Sequence, residues 1–253
     1  MAGINLAGKT ALITGASRGL GAAIARAYAE AGADVALCAR NAELLEGVAT
    51  ECRAQGRRAV VIPADLADLA TAGSIVDRAA AELGKIDIVL NNAGVNPIYK
   101  PTLDTTLEEW QHILGMDLTA PFLISQAAAR HMIPNGGGAI IQMASVSGLL
   151  ASPRMVTYSA AKAALLSVTR TLGAEWARYN IRVNAIAPGY IATDLTSGML
   201  ANPKYSEGIR AATPLNRVGT AEEIAGVAVF LASDAASFVT GATYVVDGGI
   251  SAV

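Results

Sequence analysis

Apolar positions along this chain fall into two alternating patterns. Short continuous apolar runs at 9–14, 34–39, 58–63, 86–91, 139–145, 181–187 and 242–246 predict strands. Between them, longer stretches at 19–31, 41–54, 67–83, 104–132, 153–179 and 221–231 space their apolar residues as helices do. The strand runs are apolar at successive positions rather than alternate ones, which is what strands buried on both faces require. Repeated strand–helix alternation with right-handed crossovers predicts a doubly wound α/β fold, a parallel seven-stranded sheet with helices on both faces. No linker, repeat or low-complexity tract divides residues 1–253, so one domain is expected.

Composition adds exclusions. Apolar residues make up 53% of the 253 and charged residues 16%. That apolar share exceeds the average for a soluble domain and hints at subunit contacts as well as a large core. A net charge of −2 with scattered basic residues offers no stripe for nucleic acid. Cys38 and Cys52 form no disulfide framework. Residues 131–153 lack Asp, Glu, Lys and Arg, but Pro134, three glycines at 136–138 and Gln142 leave too short an apolar run to cross a membrane. The beginning, Met1 to Leu6, has no basic start or long apolar stretch, so a cytoplasmic location is expected.

In a sheet of this kind ligands bind beyond the carboxyl ends of the strands. The predicted strand ends lead into Gly15, Arg40, Asp65, Asn92, Ser145 and Pro188. After the first strand comes Gly15-Ala16-Ser17-Arg18-Gly19-Leu20-Gly21, then an alanine-rich helix, which makes a cradle for a phosphate. Gly15 would permit the turn, Gly19 the approach of a pyrophosphate, and Gly21 close helix–strand packing. The spacing Gly-x-x-x-Gly-x-Gly departs from the generic dinucleotide fingerprint. The same residues fit the Gly-x-Ser-x-Gly elbow of serine hydrolases, but that reading needs a downstream catalytic histidine. His112 and His131 both fall in one predicted helix interior, a poor platform for such a base.

The second predicted strand ends in Ala39-Arg40, with no acid to bond a ribose hydroxyl. Arg40, joined by Arg18, favours the extra phosphate of NADP. Tyr158 and Lys162 stand four residues apart, on one face of a predicted helix, with Ser145 thirteen residues upstream. An ammonium beside a phenol favours the phenolate and so proton exchange with an alcohol or ketone near neutrality. A hydroxyl at Ser145 would hold the same oxygen. If the helix begins near Pro153, Arg154 shares a face with Tyr158 and would clamp a substrate carboxylate or phosphate, with Lys100 in the 96–101 loop reaching the same mouth.

Together these motifs resemble the short-chain dehydrogenase/reductase family across essentially the whole chain. The match is carried by Thr14 to Gly21, Asn91-Asn92-Ala93-Gly94, Ser145, Tyr158, Lys162, Pro188-Gly189-Tyr190-Ile191-Ala192-Thr193 and Val246-Asp247-Gly248-Gly249. The resemblance implies a Rossmann-type fold, a homotetramer and hydride transfer between nicotinamide and the carbon of a ketone or secondary alcohol. Tyr158 would give or take the proton, Ser145 orient the carbonyl, and Lys162 support Tyr158 and hold the nicotinamide ribose. Gly15, Ser17, Arg18, Gly19, Leu20, Gly21, Arg40, Asp65, Leu66, Asn92, Ala93, Gly94, Tyr158, Lys162, Pro188, Gly189, Ile191 and Thr193 would contact NADP. Residues 189–215 would form the substrate lid. One position departs: where the family usually has asparagine, this chain has Asp117.

Within the family, the segments 174–177, 180–184 and 216–219 look most like gluconate 5-dehydrogenases and related sugar-acid oxidoreductases, and are also similar to 3-oxoacyl-carrier-protein reductases. A non-catalytic, NADP-sensing scaffold is the competing class, and the intact Ser145, Tyr158 and Lys162 argue against it.

Overall fold

The computed structural model describes residues 4–95 and 98–253; Asn96 and Pro97, in the loop after the fourth predicted strand, lie outside the described residues. Seven strands build the sheet: β1 (Thr10–Thr14), β2 (Asp34–Ala39), β3 (Ala59–Pro63), β4 (Ile88–Asn91), β5 (Gly138–Met143), β6 (Ile181–Pro188) and β7 (Thr243–Val246). All pairings are parallel, in the order β3-β2-β1-β4-β5-β6-β7. The direction of winding reverses between β1 and β4, opening a crevice at their carboxyl ends.

Successive strand residues serve opposite faces, as the two-residue strand period dictates. Ala11, Ile13, Val35, Leu37, Leu90 and Ile141 join one buried cluster, under α1 (Gly19–Glu30), α2 (Ala42–Ala54) and α9 (Ala221–Ala232). Leu12, Ala36, Cys38, Val89 and Ile140 join the other, under α3 (Thr71–Leu83), α5 (Ala120–Met132) and α6 (Val156–Trp176). Both faces of the inner strands are therefore buried, which accounts for their unbroken apolar runs, while the edge strands β3 and β7 are partly exposed.

The predicted helix at 104–132 is not one helix. It divides into α4 (Leu107–Leu114), a π-helical turn at Gly115–Thr119 and α5. Thr106 starts α4 with a capping box, its hydroxyl accepting from Glu109 N while the Glu109 carboxylate takes the Thr106 N–H. Pro121 explains the break. It has no N–H to offer the carbonyl of Asp117, four residues earlier, and the Ala120 N–H reaches back five residues to the Gly115 carbonyl. Two helices not predicted, α7 (Asp194–Leu200) and α8 (Pro203–Ala212), occupy the expected lid.

Candidate active site

The turn from β1 into α1 is built around three glycines. Gly15 and Gly19 have φ of +67° and +56°, the left-handed region that favours glycine. A side chain at Gly21 would overlap the Gly15 carbonyl oxygen and stand 2.6 Å from Asn92 Nδ2. Asn92 clamps this turn: its amide donates to the carbonyls of Thr14 (3.0 Å) and Gly15 (3.3 Å). Thr14, which sequence reading did not single out as a contributor of side-chain bonds, fastens β1 to β4. Its hydroxyl accepts from the N–H groups of Asn92 and Ala93, both at 3.0 Å, and donates to the Leu90 carbonyl.

The helix that follows is uncapped. Arg18 occupies the N-cap with an extended backbone and no side-chain cap bond, so the first N–H groups of α1 face the crevice mouth without an intrahelical partner. Arg18 and Arg40 are exposed, and among the described residues neither makes a side-chain hydrogen bond or ion pair. Uncapped amides, a glycine turn and two cations suit a phosphorylated dinucleotide. Ser17 is half-buried beside them. Asp65 is exposed and accepts from Ala67 N at 3.0 Å, while Leu66 is buried in the core.

Across the switch point, β5 ends at Met143 and Ser145 begins a 3-10 turn, Val146–Gly148. The Ser145 oxygen accepts from Ser147 N at 3.1 Å, which leaves its own proton to donate elsewhere. Gly148 lets this turn lie directly on α6, since a Cβ there would stand 2.8 Å from the Lys162 carbonyl carbon and 2.9 Å from Ala163 N. Tyr158 is half-buried in the first turn of α6, and Lys162 follows one turn later, only 5% exposed. Lys162 Nζ donates to the Met143 carbonyl at 3.0 Å and lies 5.4 Å from the centre of the Tyr158 ring. One ammonium thus ties the helix to the end of β5 and sits against the phenol.

Asp117 closes the site from below. It is fully buried, its Oδ1 accepting from Val95 N at 3.1 Å and standing 4.0 Å from Lys162 Nζ. Gly94 has no room for a side chain because Asp117 Oδ1 would be 2.7 Å from it. Burial raises the Asp117 carboxyl above its ordinary range, and Lys162, the Val95 N–H and His112 work in the opposite direction.

On the far side, Pro188 ends β6 and Gly189 N bonds the Val246 carbonyl at 3.0 Å, with Gly189 packed against Asp247. Ile191 is buried and bridges to Gly219. Thr193 starts α7, where Thr196 Oγ1 accepts from Thr193 N and donates to the Ile191 carbonyl. The residues predicted to be cofactor contacts therefore lie along the carboxyl edge of the sheet, and the Ser-Tyr-Lys set sits on the β5–α6 side of it.

Two expectations about the mouth change. Helix α6 begins at Val156, not near Pro153, so Arg154 is not on its face. Arg154 instead sits before the helix with a left-handed backbone (φ +70°), its guanidinium 4.9 Å from the centre of the Tyr99 ring. Its carbonyl accepts from Lys100 N at 3.1 Å, joining the two loops. The Lys100 ammonium is engaged by Glu109 at 2.7 Å, so it is not free for a substrate.

Comparison with known proteins agrees with this architecture. A family model described as enoyl-(acyl carrier protein) reductase matches residues 15–251. The chain is 38% identical over 250 residues to gluconate 5-dehydrogenase of Gluconobacter oxydans strain 621H, covering 98% of this chain and 96% of that one. It is 38% identical over 252 residues to 3-oxoacyl-[acyl-carrier-protein] reductase of Synechocystis sp., covering 97% and 98%. The crystal structure of a gluconate 5-dehydrogenase from Burkholderia cenocepacia J2315, in complex with NADP and tartrate, superimposes with a TM-score of 0.94 at 38% identity, covering 99% and 98%.

Proposed function

Since the chain belongs to the short-chain dehydrogenase/reductase family, whose relatives here are dehydrogenases and reductases acting on CH–OH groups, we propose that it is an NADPH-dependent oxidoreductase of keto-sugar acids and similar ketones. The observation that carries this reading is the placement of Lys162 between the Tyr158 ring and the Met143 carbonyl, next to the turn of Ser145. NADP rather than NAD is supported by Arg18 and Arg40, exposed and unpaired among the described residues, at a strand end without an acid.

The nicotinamide, when bound, supplies or accepts the hydride at the substrate carbon. Everything else falls to this chain. Ser145 donates its free proton as a hydrogen bond to the carbonyl oxygen and orients it. Tyr158 delivers its proton to that oxygen as the carbon is reduced, giving the alcohol and a phenolate. The Lys162 ammonium offsets the negative charge left on the phenol, a charge interaction strengthened by burial. In the reverse direction the phenolate takes the alcohol proton. The uncapped amides of α1 and the glycine turn hold the phosphates, and residues 189–215, carrying α7 and α8, cover the substrate.

A sugar-acid substrate is supported by the likeness to gluconate 5-dehydrogenases, one of them in complex with tartrate, and by Arg154, an exposed cation in the loop just before α6. The test is reduction of 5-ketogluconate by wild type and Tyr158→Phe, with NADPH and NADH. Wild type should prefer NADPH. The variant should lose at least about a hundredfold in rate while binding NADPH as before, because a general acid contributes at least that much. Variant activity above a tenth of wild type, or a preference for NADH, would refute the reading.

A further inference from the structure

A carboxylate with no access to solvent and an incomplete set of partners needs a reason. Asp117 has one oxygen on the Val95 N–H, and among the described residues its other oxygen, Oδ2, has no hydrogen-bond partner. It sits in the π-helical turn that Pro121 forces, an element often found at functional sites. The charged and titratable groups around it are few. On α6 they are Lys162 and Tyr158, and on α4 His112. The portion of α5 packed against it, Ala120 to Ala129, has no charged residue, and among the described residues of the loop after β4 its contact is the Val95 N–H.

We propose that Asp117 is a positioning residue that acts through Lys162, its carboxylate balancing the ammonium and so keeping the Tyr158 proton in place to higher pH than a neutral residue would. The inference rests on Tyr158 being the proton donor. The sign follows from the charges. The ammonium favours the phenolate, and a carboxylate 4.0 Å from it opposes that preference. With Asp117 ionised, the phenol therefore retains its proton further up the pH scale, which extends carbonyl reduction toward alkaline pH. The same carboxylate delays alcohol oxidation, which needs the phenolate. Both directions respond together, as one titrating group requires. Asparagine at 117 would keep the shape and the acceptor for Val95 N but remove the charge.

The experiment compares wild type with Asp117→Asn, with Asp117→Ser as a smaller neutral variant should the amide disturb folding. Tyrosine ionisation is followed by ultraviolet absorbance of the cofactor-free protein across alkaline pH. The neutral variant should gain one phenolate about one pH unit earlier than wild type. The difference should vanish when both proteins also carry Tyr158→Phe. With NADPH and 5-ketogluconate or 2,3-butanedione, the alkaline limb of reduction should move down by the same amount, a tenfold rate difference at a pH on that limb. Superimposable titrations, or a lower rate at every pH with unmoved limbs, would overturn the proposal. Turnover of neither ketone alongside a displaced titration would count against the reductase reading alone.

Discussion

Arg154 holds its backbone at φ +70° while its guanidinium stacks 4.9 Å from the Tyr99 ring. For a residue with a side chain that conformation costs about 1–3 kcal/mol. Strain of this kind is relieved by glycine, which adopts the same backbone freely. Arg154→Gly should therefore unfold at a higher temperature than wild type. If the guanidinium clamps a carboxylate, the same variant should show a KM for 5-ketogluconate raised about tenfold, from the loss of one charged contact. Its KM for the neutral 2,3-butanedione should stay near wild type, and equal changes on both ketones would remove Arg154 from substrate recognition. Legibility at this scale was uneven. Tyr158 and Lys162 could be read because helical spacing alone puts them on one face. Asp117 could be read as a residue, but its burial beside Lys162 could not, since depth depends on how three helices meet. The Arg154–Tyr99 contact joins loops 55 positions apart, a pairing with no local signal.

The elements that carry the site show why some boundaries escape the pattern of apolar positions. Helical periodicity runs through 104–132 without a gap, yet one missing N–H at Pro121 divides it, and the proline was present in the sequence as the signal. The opposite error occurred at 194–212, where small and polar residues hide the period of α7 and α8. Elements also position one another through residues that touch no ligand. Gly148 seats the Ser145 turn on the backbone of α6, so the hydroxyl and the phenol belong to two elements held at a distance that a Cβ would enlarge. Gly148→Val should lower kcat by about a hundredfold, the effect of displacing a reacting group by about 1 Å. NADPH affinity should change little, because the glycine turn and α1 lie on the other side of the switch point. A variant that keeps full kcat would show that the turn tolerates displacement.

Across the whole molecule, the doubly wound sheet was the most legible feature, because strands buried on both faces leave unbroken apolar runs that little else produces. The order of strands was not. Putting β4 beside β1 joins residues separated by more than seventy positions, as the Ala11–Ile88 register shows. Such pairings form late, because a long loop must close before they are rewarded. After dilution from denaturant, helical circular dichroism should recover before NADPH-linked activity, and simultaneous recovery would contradict that order. The same architecture bears on how the protein is made. Synthesis delivers the phosphate turn at Gly15 first, but its clamp Asn92, then Ser145, Tyr158 and Lys162, and finally the β6 segment to Thr193 follow in sequence. A growing chain therefore holds most of its apolar surface on the ribosome before any version of the site can exist, and its exposure to aggregation is set by the time taken to reach β6.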